Sequence, residues 1–154
     1  RKMKVKIIEN PELLEDLVTI ECRNINPEIL SISSYIENYG LSIVGKKDGE
    51  KCFINLKEIF YFEAVDNHVF AYTKDEVYEV AYRIQDINSL FGKLFFIQIS
   101  RTIVINIDII EKVSTLINGR ILAVLINGEK QIISRAYAHE FKNKLMTKGE
   151  HNNE

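Results

Sequence analysis

Few of the side chains able to do chemistry stand where chemistry would need them. Ser100, His68 and Asp108 supply the residue types of a nucleophilic triad, but no G-x-S-x-G turn carries the serine. Glu63 and Asp66 are close together where a predicted strand runs into a turn, a spacing that belongs to turn formation rather than to paired acid–base work. Cys22 and Cys52 lie thirty residues apart, and His68, His139 and His151 are well separated. No C-x-x-C pair or Cys/His cluster has metal-ligand spacing. P-loop, G-x-G-x-x-G and H-E-x-x-H motifs are absent. The expectation is therefore a non-enzyme without metal or cofactor. What recurs is a dipeptide: Ser100-Arg101 and Ser134-Arg135 each follow a predicted strand. His68 stands at a third junction, after the Asp66-Asn67 turn, where a lone histidine is ordinarily solvated.

Arg101 poses a problem for the elements that must position it. From Phe95 to Ile109 the odd positions are apolar except for Arg101, while Gln98, Ser100, Thr102, Asn106 and Asp108 take even positions. Strand alternation would put Arg101 into a core, where an unpaired guanidinium is very costly. A strand that stops near Ile99 removes the conflict. The chain then turns at Ser100-Arg101-Thr102, Thr102 caps the turn, and Ile103–Ile105 packs from a tight turn or short helix. Arg101 either points outward or lies on the sheet rim with its stem buried. Ser134 is a plausible N-cap for a closing helix, which puts Arg135 in the first turn, exposed.

Around these junctions the pattern is mainly β. Lys51–Leu56, Ile59–Val65, Val69–Thr73 and Val77–Ala81 are short and rich in Ile, Val, Phe and Tyr. Ile84–Leu90 is a helix candidate. Asn118-Gly119 and Asn127-Gly128 mark hairpins, since both residues of such turns need positive φ. Arg135–Met146 reads as a helix with Tyr137, Ala138, Phe141 and Leu145 on one face and Lys142, Lys144 and Lys148 exposed. Residues 147–154 read as a polar, disordered tail. Upstream, 1–47 reads as a small α/β module: strands at Met3–Ile8, Leu17–Cys22 and Leu41–Gly45, and a helix started by Asn26-Pro27 and ended by Gly40. That module suits dimerisation, sensing or docking, and the boundary falls between 47 and 48.

The chain has 154 residues, 46% of them hydrophobic, enough for one domain with an appendage. Two free thiols suit a reducing cytoplasm. No apolar run approaches the ~20 residues of a membrane span, and no signal peptide is expected. The net charge of −2 conceals an asymmetry: residues 1–92 sum to −5, residues 93–148 to +5, and the last six to −2. A basic C-terminal third suits an anionic partner.

Four segments, I59-F-Y-F-E-A-V-D-N-H-V-F-A-Y-T73, Y78-E-V-A-Y-R-I-Q-D-I-N-S-L-F91, F96-I-Q-I-S-R-T-I-V-I-N106 and N127-G-E-K-Q-I-I-S-R-A-Y137, resemble the LytTR-type DNA-binding domain of bacterial transcription regulators. The resemblance spans residues 48–146. It implies an elongated, mainly β, antiparallel multi-sheet fold with short peripheral helices, whose loops read major grooves of double-stranded DNA. It implies base contacts from His68, Arg101 and Arg135, with Ser100, Thr102, Ser134, Lys130 and Asn106 bracing the loops or meeting the DNA backbone, Asn106 being the most structural of these. Arginine suits bidentate contact with guanine O6 and N7, and hydroxyls and lysines suit phosphates. The three reading residues should lie exposed along one edge, within about one helical turn of DNA, ~34 Å. Gln98 and Ser100 replace the family's usual arginine and histidine, and Thr102 its serine, so Arg101 and Arg135 carry more of the load or the target or affinity differs. No receiver domain is recognised in 1–47. The resemblance therefore implies a stand-alone cytoplasmic regulator, with a homodimer and a small membrane-protein regulator as possible partners. The alternative is a protein-interaction or small-molecule-sensing module on the same scaffold with weakened DNA binding.

Overall fold

Paired turn residues with positive φ set the strand plan. Asp48 and Gly49 have φ of 52° and 78°, and Asp66 and Asn67 have 49° and 66°. Two left-handed residues in succession reverse a chain with the twist that antiparallel strands need. They join β1 (Ser42–Lys47) to β2 (Glu50–Asn55), and β3 (Ile59–Val65) to β4 (His68–Thr73). The computed structural model describes residues 3–37, 41–92 and 94–152, with side chains as far as 146.

With β5 (Val77–Val80), β6 (Phe96–Gln98) and β7 (Ile103–Asn106), these strands form a seven-stranded antiparallel sheet in the order β2-β1-β5-β4-β3-β7-β6. A second sheet, β10-β9-β8, comes from β8 (Ile110–Thr115), β9 (Ile121–Leu125) and β10 (Lys130–Ile133). The expected mainly β, antiparallel multi-sheet architecture is present. Of the two Asn-Gly turns, the first has both residues left-handed, Asn118 at 64° and Gly119 at 75°. The second uses Gly128 alone, at 86°, while Asn127 Oδ1 accepts from the Glu129 amide at 3.0 Å. The side-chain bond replaces the second positive φ.

Three helices complete the chain. Pro27 opens α1 (Pro27–Glu37), and Asn26 Oδ1 accepts from the Ile29 amide at 3.0 Å, the expected cap. The expected stop at Gly40 lies outside the described residues. The Asp86 carboxylate accepts from the Arg83 amide at the start of α2 (Ile84–Phe91). The closing helix α3 (Arg135–Asn152) runs past Met146, so 147–152 is helical rather than a frayed tail. Residues 153 and 154 lie outside the described residues.

The upstream region differs from expectation. Met3–Ile8 and Leu17–Cys22 alternate like strands but pair with none of the described strands. Alternation shapes a face and does not supply a neighbour, and a lone strand leaves its amides unpaired. The third expected strand, β1, pairs with β2 along its length and with β5 at Gly45 and Lys46. The expected 47/48 boundary therefore cuts a hairpin that belongs to the main sheet. Gly45 is required there: a Cβ would come within 2.5 Å of Ile54 Cδ1 and 2.9 Å of Tyr78 Cβ.

The large sheet is apolar on both faces near β3, β7 and β6, which explains the near-continuous apolar run. One core holds Phe62, Phe96 and Val104 with Ile84 and Ile87 of α2. The other holds Tyr61, Ile97, Ile99 and Ile105 with Leu125 and Ile133 of the small sheet and Phe141 of α3. Two polar groups fasten these layers. Asn106, 1% exposed, donates Nδ2 to Ile59 O at 3.0 Å and accepts from the Asp108 amide at 2.8 Å through Oδ1. Lys144 is not the exposed lysine that helical spacing suggested. Its ammonium donates to Gly92 O and, at 2.6 Å, to Phe96 O, tying α3 to the end of α2 and to β6. Burial lowers its pKa, and Asp108 partly opposes that shift. Lys142 is exposed as expected, and the side chain of Lys148 lies outside the described residues.

Tyr61 bridges the sheets. It stacks on Tyr72 at 4.6 Å between ring centroids, and the Glu129 carboxylate of the β9–β10 turn acts on its hydroxyl. Burial first, then the Glu129 charge, raises its pKa above the ordinary value of 10.0. The unfolded chain therefore loses this proton first, so it binds fewer protons than the native state above pH ~10 and stability falls as pH rises. Tyr61→Phe should flatten that alkaline decline, measured by urea unfolding from pH 8 to 11. Asn106→Ala leaves Ile59 O and the Asp108 amide without their buried partner, and should cost about 2–3 kcal/mol in the same assay at neutral pH.

Candidate nucleic-acid interface

The chain does turn after Ile99. The Ile99 amide donates to Ile103 O at 2.9 Å, leaving Ser100, Arg101 and Thr102 as a three-residue loop between β6 and β7. Gln98 Nε2 donates to Ser100 O at 2.9 Å, and Ser100 Oγ accepts from the Thr102 amide at 3.2 Å. Thr102 O accepts from the Ala64 amide of β3 at 2.9 Å. The loop is thus pinned from below, within itself and from the side, and Arg101 is exposed at its tip. Two local expectations need correction. Ile103–Asn106 returns as a strand beside β6, not as a short helix, and Ser100 rather than Thr102 supplies the hydroxyl that receives an amide. Gln98 is a neutral brace for the loop.

Arg135 is tied to the same place. Ser134 precedes α3, its amide donating to Ile99 O at 2.9 Å and its carbonyl accepting from the Tyr137 amide at 3.0 Å. One backbone residue, Ile99, thus closes the Arg101 loop through its N–H and anchors the start of α3 through its carbonyl. Arg135 is exposed, and its stem crosses the β8–β9 turn. A Cβ on Gly119 would meet Arg135 Cγ at 3.3 Å. With φ at +75°, Gly119 satisfies both the turn and the close approach.

His68 opens β4, opposite Val65, and its side chain is exposed. It is not a free turn residue. Its Nδ1 lies 2.8 Å from Glu79 Oε1 on β5, which leaves Nε2 as the ring nitrogen free to face a partner. Strand register sets its distance from Arg101. Glu63 pairs with Ile103, and β4 and β7 flank β3, so the two loops emerge from the same end of the sheet. Two strand spacings separate them, roughly 10 Å at the backbone.

Two expected supports lie elsewhere. Asn106 is at the far end of β7, opposite Phe96, and is buried, so its role is internal. Lys130 is exposed but opens β10, three residues before Ile133, so it sits roughly 10 Å from the Arg135 end. Two arginines missed from the sequence do lie at the loop end. Arg120 is exposed just past Gly119, and Arg83, just past β5, has a side chain 79% exposed with Nε 3.5 Å from Asp86 Oδ2. Each follows a strand or turn as Arg101 does, and that positional echo was the available signal. Among the described residues no group of three or more His, Cys, Asp or Glu is arranged to hold a metal ion. No helix among them is long and apolar enough to cross a membrane.

Comparison with known proteins bears on the family and the fold. The model of the LytTr DNA-binding domain matches residues 49–146. Two proteins of Staphylococcus aureus, strains MSSA476 and MW2, named as uncharacterized HTH-type transcriptional regulators, are each 26% identical over 145 residues, covering 93% of this chain and 98% of theirs. Among the described residues no two helices are consecutive, so a helix-turn-helix is not how this chain is built. A solved LytTr DNA-binding domain from Bacillus cereus superposes with a TM-score of 0.64 at 22% identity, covering 68% of this chain and 95% of that one, which shows a shared fold. With the matched region taking in both sheets from β2 onward and all three loops, this chain belongs to the LytTR DNA-binding domain family.

Proposed function

We propose that this chain is a sequence-specific transcription regulator that reads double-stranded DNA through the loops at one end of its large sheet. The observation that carries the reading is the shared anchorage of Arg101 and Arg135 on Ile99, with both side chains exposed. A guanidinium held by a fixed backbone loses little freedom on meeting guanine O6 and N7. His68, oriented by Glu79, is the third base-reading candidate. Ser100, Thr102 and Ser134 hold the loops and offer polar groups to phosphates, and Lys130 adds charge from farther away. Arg120 and Arg83 join the phosphate-contacting set. The reading places the protein's work in the cytoplasm with the DNA.

Binding to DNA from upstream of its own gene, followed across a salt series, tests this. Wild type should weaken steeply with salt. Arg101→Ala and Arg135→Ala should each lose about 1–3 kcal/mol of preference over scrambled DNA, while unfolding free energies stay within about 0.5 kcal/mol of wild type. Lys130→Ala should keep the preference and lower the salt slope by no more than about 1. Salt-insensitive or absent binding by folded protein would favour the interaction or sensing module instead.

Gly119→Ala separates loop geometry from charge. The substitution strains a left-handed residue and pushes on the Arg135 stem without removing any cation. It should cost about 1 kcal/mol or more in urea unfolding and reduce discrimination in the same direction as Arg135→Ala.

A further inference from the structure

We propose that two copies of this chain associate by exchanging their N-terminal segments, Met3–Ile8 of one pairing as a strand with Leu17–Cys22 of the other. The two stretches alternate as strands do, yet neither pairs with a described strand. Val5, Ile7, Ile8, Leu17 and Val18 each keep more than 60% of their surface exposed, and Leu14 is fully exposed. Apolar side chains concentrated in one short segment of surface mark an interaction site. Joining the face that carries Val5, Ile7 and Val18 covers on the order of 200–300 Å² of side chain per copy.

Charge and pattern select a second copy as the occupant. In the first stretch Met3, Val5 and Ile7 share one face and Lys4, Lys6 and Ile8 the other. In the second, Val18, Ile20 and Cys22 share a face, opposite Leu17, Thr19 and Glu21, with Glu15 and Asp16 just before it. Pairing that joins the apolar faces puts the lysines beside the acids, so each stretch complements the other rather than itself. A two-fold axis then satisfies both stretches of both chains at once, giving four strands from two copies. A two-stranded hairpin within one chain would be marginal by comparison. The new sheet would also lie next to α1, which rests on α3 with Leu30 and Tyr35 exposed.

The 154-residue chain at micromolar concentration, studied by size exclusion with light scattering, should run at twice 17.9 kDa. Val5→Asp with Ile7→Asp should bring it to monomer mass without shifting the unfolding midpoint of the sheets. Lys6→Glu and Glu21→Lys should each weaken the dimer at least several-fold, and the two together should restore it. In a Val5→Cys variant with Cys52→Ser, oxidation should join Cys22 to the new thiol between chains. A monomeric wild type, a dimer indifferent to Val5 and Ile7, or a cross-link formed only within single chains would each overturn the proposal. None of these readouts depends on DNA.

Discussion

The architecture turns on the backbone of Ile99. Its side chain is fully buried in the core between the two sheets. Its N–H reaches Ile103 O across the loop, and its carbonyl takes the Ser134 amide. A residue so engaged fixes where β6 ends, where β7 begins and where α3 departs. Buried backbone groups must find partners somewhere, and here the partners are the two junctions that carry arginine. Solvent-facing side chains are thereby positioned by hydrogen bonds that contain none of their own atoms. Arg101 and Arg135 are free to change type without disturbing the frame, which is the arrangement a reading surface needs.

Much of this was legible in residue types. Asp-Asn and Asn-Gly between apolar runs gave the hairpins because few residues accept positive φ. Arg101 on an apolar parity marked the end of a strand, since the alternative required a buried unpaired charge. The hidden parts share a different cause. His68 and Glu79 are eleven residues apart, and only the β4–β5 register brings them to 2.8 Å. Lys144 occupies a position that helical spacing assigns to solvent, but two carbonyls, from Gly92 and Phe96, lie within its reach. Asn106 looked like loop support, and its partner Ile59 is forty-seven residues away. In the upstream region alternation was silent as to neighbours, so β1 proved part of the main sheet while Met3–Ile8 and Leu17–Cys22 pair with none of the described strands.

The charge at the loop end is nearly balanced. Gln98 and Ser100 are neutral, and Glu63, Asp66, Glu79 and Asp86 share the neighbourhood with His68, Arg83, Arg101, Arg120 and Arg135. Each neutralised phosphate contributes about 0.9 to the salt slope on duplex DNA, so a surface whose cations are offset by neighbouring acids gains less from counterion release. A single copy would then draw a larger share of its affinity from directed contacts, which reward accurate placement more than charge. That is consistent with the effort the fold spends on pinning the 100–102 loop from three directions. It would also give the proposed strand exchange a use. Two copies joined at one end turn the second half-site encounter into an intramolecular event, and the gain in avidity needs no additional cation at the reading loops. Balanced charge and coupled copies would be complementary: the first would keep binding to arbitrary DNA low, and the proposed pairing would restore affinity only where two sites stand at the spacing the dimer sets.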